Sequence, residues 1–383
     1  MNHKAMLLIQ VTLVVLLVVL AAGCSSGDDE PEIIIPDSPV PPTPRSQPLP
    51  IPTIEPPAGS SDRPVRLYIM LPEDTALDSL EALQAALSGS DPALVVEQAD
   101  ETTALRELCN GSLTAAWISP FTYAAALEQE RCAGIVPVLA VVRTENDTDT
   151  VGRTAELIYN RRLNSFNAPS DLAYQLLCRS AQQDEFTRWV YPGLLLAQNG
   201  ISPFSVIPVS NTTSASPPSL SGLVDYPTDA AMLQGLVDGE CAAGALAPGD
   251  LDVAFEMLNA GREEADLIPS DAFGSIGEPV DVTLAGNTVL PEVEEAEEED
   301  AGDGQLVFQP NVVPYELLVF APGMVVTPEM RAEITTYFTT SSNAAESTQA
   351  LLNATSFVPV TETSYVNFLA LLQSARWDMA LGR

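Results

Sequence analysis

From Val65 onward the chain alternates short apolar runs with amphipathic ones, and this alternation restricts its possible folds more than any other feature. "VRLYIML" reads as a strand and "DTALDSLEALQAAL" as a helix opening on an acidic residue. "ALVVEQA", "ETTALRELCNG", "LTAAWIS", "PFTYAAALEQERCAG" and "IVPVLAVVR" continue the series as strand, helix, strand, helix and strand. Pro120 falls near the first position of its helix, where a missing N–H does no harm. Strands joined through single helices predict a largely parallel sheet covered on both faces. Ligands of such sheets bind outside the carboxyl ends of the strands, and residues 119–123 lie at such an end.

The polar break "TENDTDTVGR" interrupts the pattern, and "TAELIYNRR" opens a second series. "YQLLCRS" reads as a strand, "EFTRWVYPGLLLAQNGI" as a helix, "SVIPVS" as a short strand, "TDAAMLQGLVDGE" as a helix and "CAAGAL" as a strand. The pattern loosens between Asp252 and Gln305. The acidic run "PEVEEAEEEDAGDG" lies there; it lacks calcium-loop spacing and reads as a solvated insertion. "PYELLVFAPGMVV" returns as a strand, followed by helices in "TPEMRAEITTYFTT", "NAAESTQALLNAT" and "SYVNFLALLQSAR". Each series is short of a complete domain, and a chain of 383 residues can bury two cores. The expectation is an α/β fold of two lobes with two crossings. Lobe 1 takes 65–150 and 318–383; lobe 2 takes 151–317, with the acidic insertion at about 289–304. A ligand would sit in the cleft between them.

Residues 1–23 have the layout of a secretory signal: a short basic start, an apolar run from Ala5 to Leu20, then small residues. The ending "LAAGC" resembles a bacterial lipobox, which makes Cys24 the lipidated N-terminus; an uncleaved membrane anchor is the other reading. Either places the remainder outside the cytoplasm, anchored to a membrane. From Ser25 to Pro64 there are 12 prolines, so 24–64 reads as an extended stalk.

The chain carries 16 basic and 52 acidic residues, a formal charge of −36. That excludes a nucleic-acid partner, whose phosphates need Lys and Arg. The sole lysine and the sole histidine are Lys4 and His3, both within the signal. The remainder therefore lacks a His base, a Schiff-base lysine, a P-loop lysine and any His metal ligand. No paired carboxylates stand at informative spacing, so a carboxylate hydrolase is not indicated. The expectation is a binding protein, not an enzyme, with no cofactor and no metal.

Cys109, Cys132, Cys178 and Cys241 remain after Cys24, an even number in an exported chain. Three connectivities are possible. Cys109 and Cys132 each close a helical stretch before a glycine, and consecutive βα units bring such ends to one edge. That pairs Cys109 with Cys132 and leaves Cys178 for Cys241; free buried thiols are the alternative.

Four segments, "LCNGSLTAAWISPFTYAAAL", "LCRSAQQDEFTRWVYPGLLLAQNGI", "TDAAMLQGLVDGECAAGAL" and "TSFVPVTETSYVNFLALL", resemble the periplasmic phosphate/phosphonate-binding proteins of ABC importers. These have the type II periplasmic-binding-protein fold, and the segments occur in family order over most of 65–375. The resemblance implies a monomeric, extracytoplasmic binder that presents a small ligand, an oxyanion, to an ABC permease. It places Ser119, Phe121, Thr122 and Tyr123 on the first ligand-facing loop. In the second lobe the family has Ser-Thr-Ser-Gly before an aromatic at a helix start, where free N–H groups hold an anion. Here Glu185-Phe186-Thr187-Arg188 precede Trp189, and only Thr187 keeps the hydroxyl. Arg188 either clamps an oxyanion or pairs with Glu185. Asp229 matches the family's later Asp and is also readable as a helix N-cap. Tyr123 and Trp189 each read as a ligand contact or as packing, and Trp117 reads as core. The departures at 185–188 also admit a binding-protein fold that serves as a surface interaction or sensory subunit.

Overall fold

The computed structural model describes residues 56–70, 77–202, 218–289, 304–323, 326–340 and 342–377. The signal, Cys24, most of the stalk, the strand expected at "SVIPVS" and nearly all of the acidic insertion lie outside the described residues. The described part belongs to one folded unit, Glu55–Arg383.

The first series folds as β1 (Val65–Ile69), α1 (Leu77–Ala86), β2 (Leu94–Gln98), α2 (Glu101–Cys109), β3 (Ala115–Ile118), α3 (Pro120–Leu127) and β4 (Val136–Glu145). The stretch expected to be a polar break is instead a hairpin, with β5 (Thr148–Thr150) returning along β4. Asn146 and Asp147 take φ of 51° and 62° at its tip, the left-handed pair that a two-residue turn needs and that Asn and Asp tolerate. The end of the stretch read as stalk also folds. Residues 58–63 form a turn whose Gly59 carbonyl accepts the Ala93 N–H at 2.7 Å, tying it to the start of β2.

After β6 (Gly152–Arg153) come β7 (Glu156–Asn160), β8 (Leu176–Ser180), α4 (Tyr191–Gln198), β9 (Gly222–Tyr226), α5 (Asp229–Asp238) and β10 (Ala243–Leu246). The helix expected from "EFTRWVYP" starts as a π-turn over Phe186–Val190. Pro192 cannot donate to the carbonyl four residues back, and a wider turn ahead of it absorbs the missing bond. The segment that looked loose contains α6 (Asp250–Asn259), which buries Ala254 and Leu258 one turn apart, and β11 (Phe273–Ser275). The short strands β12 (Thr288–Val289) and β13 (Gln305–Leu306) pair with each other. β14 (Val313–Pro314), β15 (Leu317–Phe320), α7 (Pro328–Thr339), α8 (Asn343–Leu352), β16 (Ser356–Pro359) and α9 (Val366–Ala375) complete the order.

Two principal sheets result. The first has the order β16-β4-β15-β3-β1-β2 with β5 attached to β4; the second has β11-β7-β10-β8-β9. β3-β1-β2 and β10-β8-β9 are parallel, as expected, whereas β15 slots antiparallel between β3 and β4. Each sheet thus has three parallel strands with the earliest in the middle, then a strand running the other way. The first sheet draws that reversed strand from the chain after its return, which single-helix connections do not foretell. The chain crosses from the first sheet to the second after β5 and comes back before β15, the two-crossing α/β arrangement expected from the sequence. β6 and β14, the crossing segments, are hydrogen-bonded to each other. Gly152 is required there, because a Cβ would lie 2.6 Å from the Val313 carbonyl oxygen.

Alternation along the strands sends side chains to two cores. In β3, Trp117 faces α7 and α8 while Ala116 and Ile118 face α2 and α3. Trp117 is fully buried, with Phe338 edge-on at 5.8 Å and Phe357 at 4.8 Å, so it is a core residue. Burying such a ring stabilises by on the order of 4–6 kcal/mol. The second sheet is covered by α5 and α6 on one face and by α4 on the other. α9 packs against α4, carrying Phe368, Leu371 and Leu372 onto Tyr191 and Leu194. Both expected disulfides are present, Cys109–Cys132 and Cys178–Cys241. The first joins the end of α2 to a short turn at Glu130–Cys132, since α3 already stops at Leu127.

Candidate functional site

Ser119 caps α3. Its Oγ accepts the Thr122 N–H at 3.1 Å, donates to Glu101 Oε1 at 2.6 Å and lies 3.0 Å from the Thr122 hydroxyl. Asp100, the neighbour of Glu101 in sequence, caps α2, accepting from the Thr103 N–H at 2.9 Å and its hydroxyl at 2.8 Å. Those bonds hold the Asp100 carboxyl below the usual range. At the carboxyl edge of the first sheet one helix start is thus capped by a carboxylate, and the next by a serine hydroxyl that itself donates to a carboxylate.

Thr122 and Tyr123 are buried. The Tyr123 ring packs 5.1 Å from Tyr365, which in turn lies 5.0 Å from Phe308. The Tyr123 hydroxyl has no hydrogen-bond partner among the described residues, and burial pushes its pKa up. Phe121 packs against Phe368 at 5.5 Å and Trp377 at 5.6 Å.

At the carboxyl edge of the second sheet, Asp184 Oδ1 accepts the Thr187 N–H at 2.8 Å, and its Oδ2 pairs with Arg153 at 3.0 Å. The Arg153 guanidinium lies 4.0 Å over the Phe186 ring. Arg188 donates Nε to Glu185 Oε2 at 2.6 Å, one of the two roles the sequence allowed it. Thr187 is buried, and Trp189 is half-buried with the Arg179 guanidinium 5.7 Å from its ring. Arg179 is held by Asp225 through bonds of 2.8 and 3.0 Å, which lower the Asp225 pKa.

Asp229 is not the N-cap. Thr228 is, through its hydroxyl to the Ala231 N–H at 3.1 Å, and Asp229 is the first helical residue. Its N–H donates to Gln182 Oε1 at 2.8 Å, and its Oδ2 accepts from Gln183 Nε2 at 2.9 Å. The same Gln183 nitrogen donates to Asp250 Oδ2 at 2.8 Å, while Gln183 Oε1 accepts the Ala247 N–H at 3.2 Å. Gln183 is buried, and Asp229 Oδ1 is buried without a hydrogen-bond partner among the described residues. Sequence reasoning missed Gln182, Gln183 and Asp250. A Gly249-Asp250 step opening an apolar i, i+4 pattern was the available signal for Asp250.

The eight expected residues thus form separate local sets. Ser119 and Thr122 meet over Glu101; Thr187 and Arg188 meet Asp184 and Glu185; Asp229 meets Gln183. Among the described residues no hydrogen bond or ion pair joins Tyr123 to Thr187, Arg188 or Asp229. Asp184 occupies the Thr187 N–H that a bound oxyanion would use, and like charges about 4 Å apart cost roughly 1–4 kcal/mol over plausible dielectrics.

A cavity of about 510 Å³ lies beside the crossing ribbon, between α4, the start of β7, the segment after β11 and Asn311. Glu156, Tyr191, Leu195, Asn199, Ile276 and Val280 are among its walls. Among the described residues no cluster of Cys, Asp and Glu is arranged to hold a metal ion, and no helix is long and apolar enough to cross a membrane.

The site and topology define a two-lobe α/β chain with its polar loops at the carboxyl edges of two sheets. No protein-family model matches the chain, and no curated protein matches it. Among solved structures it is similar to XAC2383 from Xanthomonas citri bound to ATP, at 15% identity and a TM-score of 0.43, over 83% of this chain and 98% of that one. It is also similar to a TctC solute-binding protein from Polaromonas, at 11% identity and a TM-score of 0.41, over 84% and 98%. PhnD1 from Prochlorococcus marinus in complex with methylphosphonate matches at 10% and 0.38, over 82% and 98%.

Proposed function

We propose that this chain is an extracytoplasmic solute-binding protein, lipid-anchored through Cys24, that delivers a small ligand to the permease of an ABC importer. The observation that carries the reading is the cavity of about 510 Å³ beside the hydrogen-bonded crossing segments, within the usual size for small-molecule sites. Its walls all come from the chain between the two crossings, so the ligand sits in the second lobe beside the crossing segments. We read the ligand as something other than an oxyanion, supported by Asp100 and Asp184 each accepting a backbone N–H at a helix start and by Glu101 accepting the Ser119 hydroxyl at a third. Melting curves of the purified protein against amines, neutral polar solutes, phosphate and methylphosphonate test this. A rise with amines or neutral solutes and none with the two anions is expected. A rise with either anion refutes the non-oxyanion reading.

A second reading, a binding-protein fold serving as a surface interaction or sensory subunit, is favoured by the apolar packing of Tyr123, Tyr365 and Phe308 where a ligand loop was expected. It predicts no melting shift with any small solute and a bare protein mass in native mass spectrometry.

A further inference from the structure

We infer that the cavity beside the crossing ribbon is a site for an amphipathic organic amine, whose ammonium meets Glu156 while its hydrocarbon part lies against Tyr191, Leu195, Ile276 and Val280. This deepens the solute-binding reading and rests on it.

The chemistry of the walls selects the ligand. Among the described residues no arginine lines the cavity, and its charged lining residues are Glu156 and Glu278. Glu156 is half-buried at the start of β7. Burial disfavours its charge, the nearby Asp252 at the start of α6 adds to this, and Ser275 offsets it with a hydrogen bond. Neither Glu156 nor Asp252 is ion-paired with an arginine among the described residues. The arginines of the second sheet's carboxyl edge are committed elsewhere, Arg153 to Asp184, Arg179 to Asp225 and Arg188 to Glu185. Among the described residues no cation balances these two neighbouring carboxylates, one of them drawn out of water. An ammonium supplies that charge, and the apolar walls accept a carbon skeleton. The net charge of −36 draws cations toward the molecule and repels anions.

The test is calorimetric titration of the full chain with three matched probes: 2-phenylethylamine, 2-phenylethanol and 3-phenylpropionate. The amine is expected to bind at least tenfold more tightly than the alcohol, with no binding of the carboxylate. Glu156→Gln is expected to weaken the amine at least tenfold and leave the alcohol unchanged. Val280→Trp, which puts a bulky ring into the cavity and leaves Glu156 unchanged in identity, is expected to abolish binding of both. Equal affinity for amine and alcohol, an unchanged amine affinity in Glu156→Gln, or amine binding that survives Val280→Trp each overturns the assignment. Preference for the alcohol overturns it while leaving a solute-binding protein. Failure of all three probes overturns it too, and native mass spectrometry of the protein as purified then decides the broader reading: a co-purified small molecule keeps it, and a bare mass with no melting shift removes it.

Discussion

Gln183 and Asp250, 67 residues apart in sequence, meet at 2.8 Å, and the same amide nitrogen reaches Asp229 at 2.9 Å. A single buried side chain thereby links the loop after β8 to the first turns of α5 and α6. The carboxylates lie at helix N-termini, where the backbone dipoles favour negative charge, and the amide supplies a donor to one oxygen of each.

Replacing Gln183 by Ala leaves two carboxylate oxygens without that donor. The expected loss is about 1–3 kcal/mol of stability. Gln183→Glu is expected to lose more, because it adds a third carboxylate. Urea denaturation of the three proteins at neutral pH measures both.

The two disulfides close loops of different length, with separations of 23 for Cys109–Cys132 and 63 for Cys178–Cys241. Loop entropy assigns them roughly 3 and roughly 4 kcal/mol. The double Ser variant at 178 and 241 is expected to unfold at lower denaturant than the one at 109 and 132, read by chemical denaturation without reductant.

Tyr365 is fully buried, and neither its hydroxyl nor that of Tyr123 has a partner among the described residues. Tyr365→Phe keeps the ring contacts and removes a desolvated polar group, so it is expected to be neutral or stabilising. Tyr365→Ala removes the ring and is expected to cost about 3–5 kcal/mol. Thermal melts of the two variants distinguish these effects.

Burial and Asp252 hold the Glu156 pKa above its ordinary 4.5. The folded state then binds the proton more tightly than the unfolded one, so stability falls as pH rises through the folded pKa. Glu156→Gln is expected to melt at a higher temperature than the parent at neutral pH. The relative gain disappears below the ordinary value, where both states are protonated. Melting curves from pH 4 to pH 8 follow it; a gain unchanged across that range would sink the assignment of the shift to Glu156.

Much of the architecture is legible in the sequence. β1, β2, β3 and their helices follow from apolar runs and capping residues, because those signals act between residues one to four apart. The β4–β5 hairpin was legible in principle from Asn146-Asp147. α6 was harder to see, since Val253 and Met257 put apolar side chains on its exposed face and only Ala254 and Leu258 are buried.

The site divides along the same line. Ser119 as a helix cap next to Pro120, and the Glu185–Arg188 pair, depend on neighbours three residues away and can be read from the chain. The entry of β15 between β3 and β4, the burial of Tyr123 against Tyr365, the bridge from Gln183 to Asp229 and Asp250, and the cavity at Glu156 depend on segments tens to hundreds of residues apart. Local propensity carries no information about which distant loops share an edge. Only packing of the two sheets, with the crossings bonded to each other, brings those groups within hydrogen-bonding or van der Waals range.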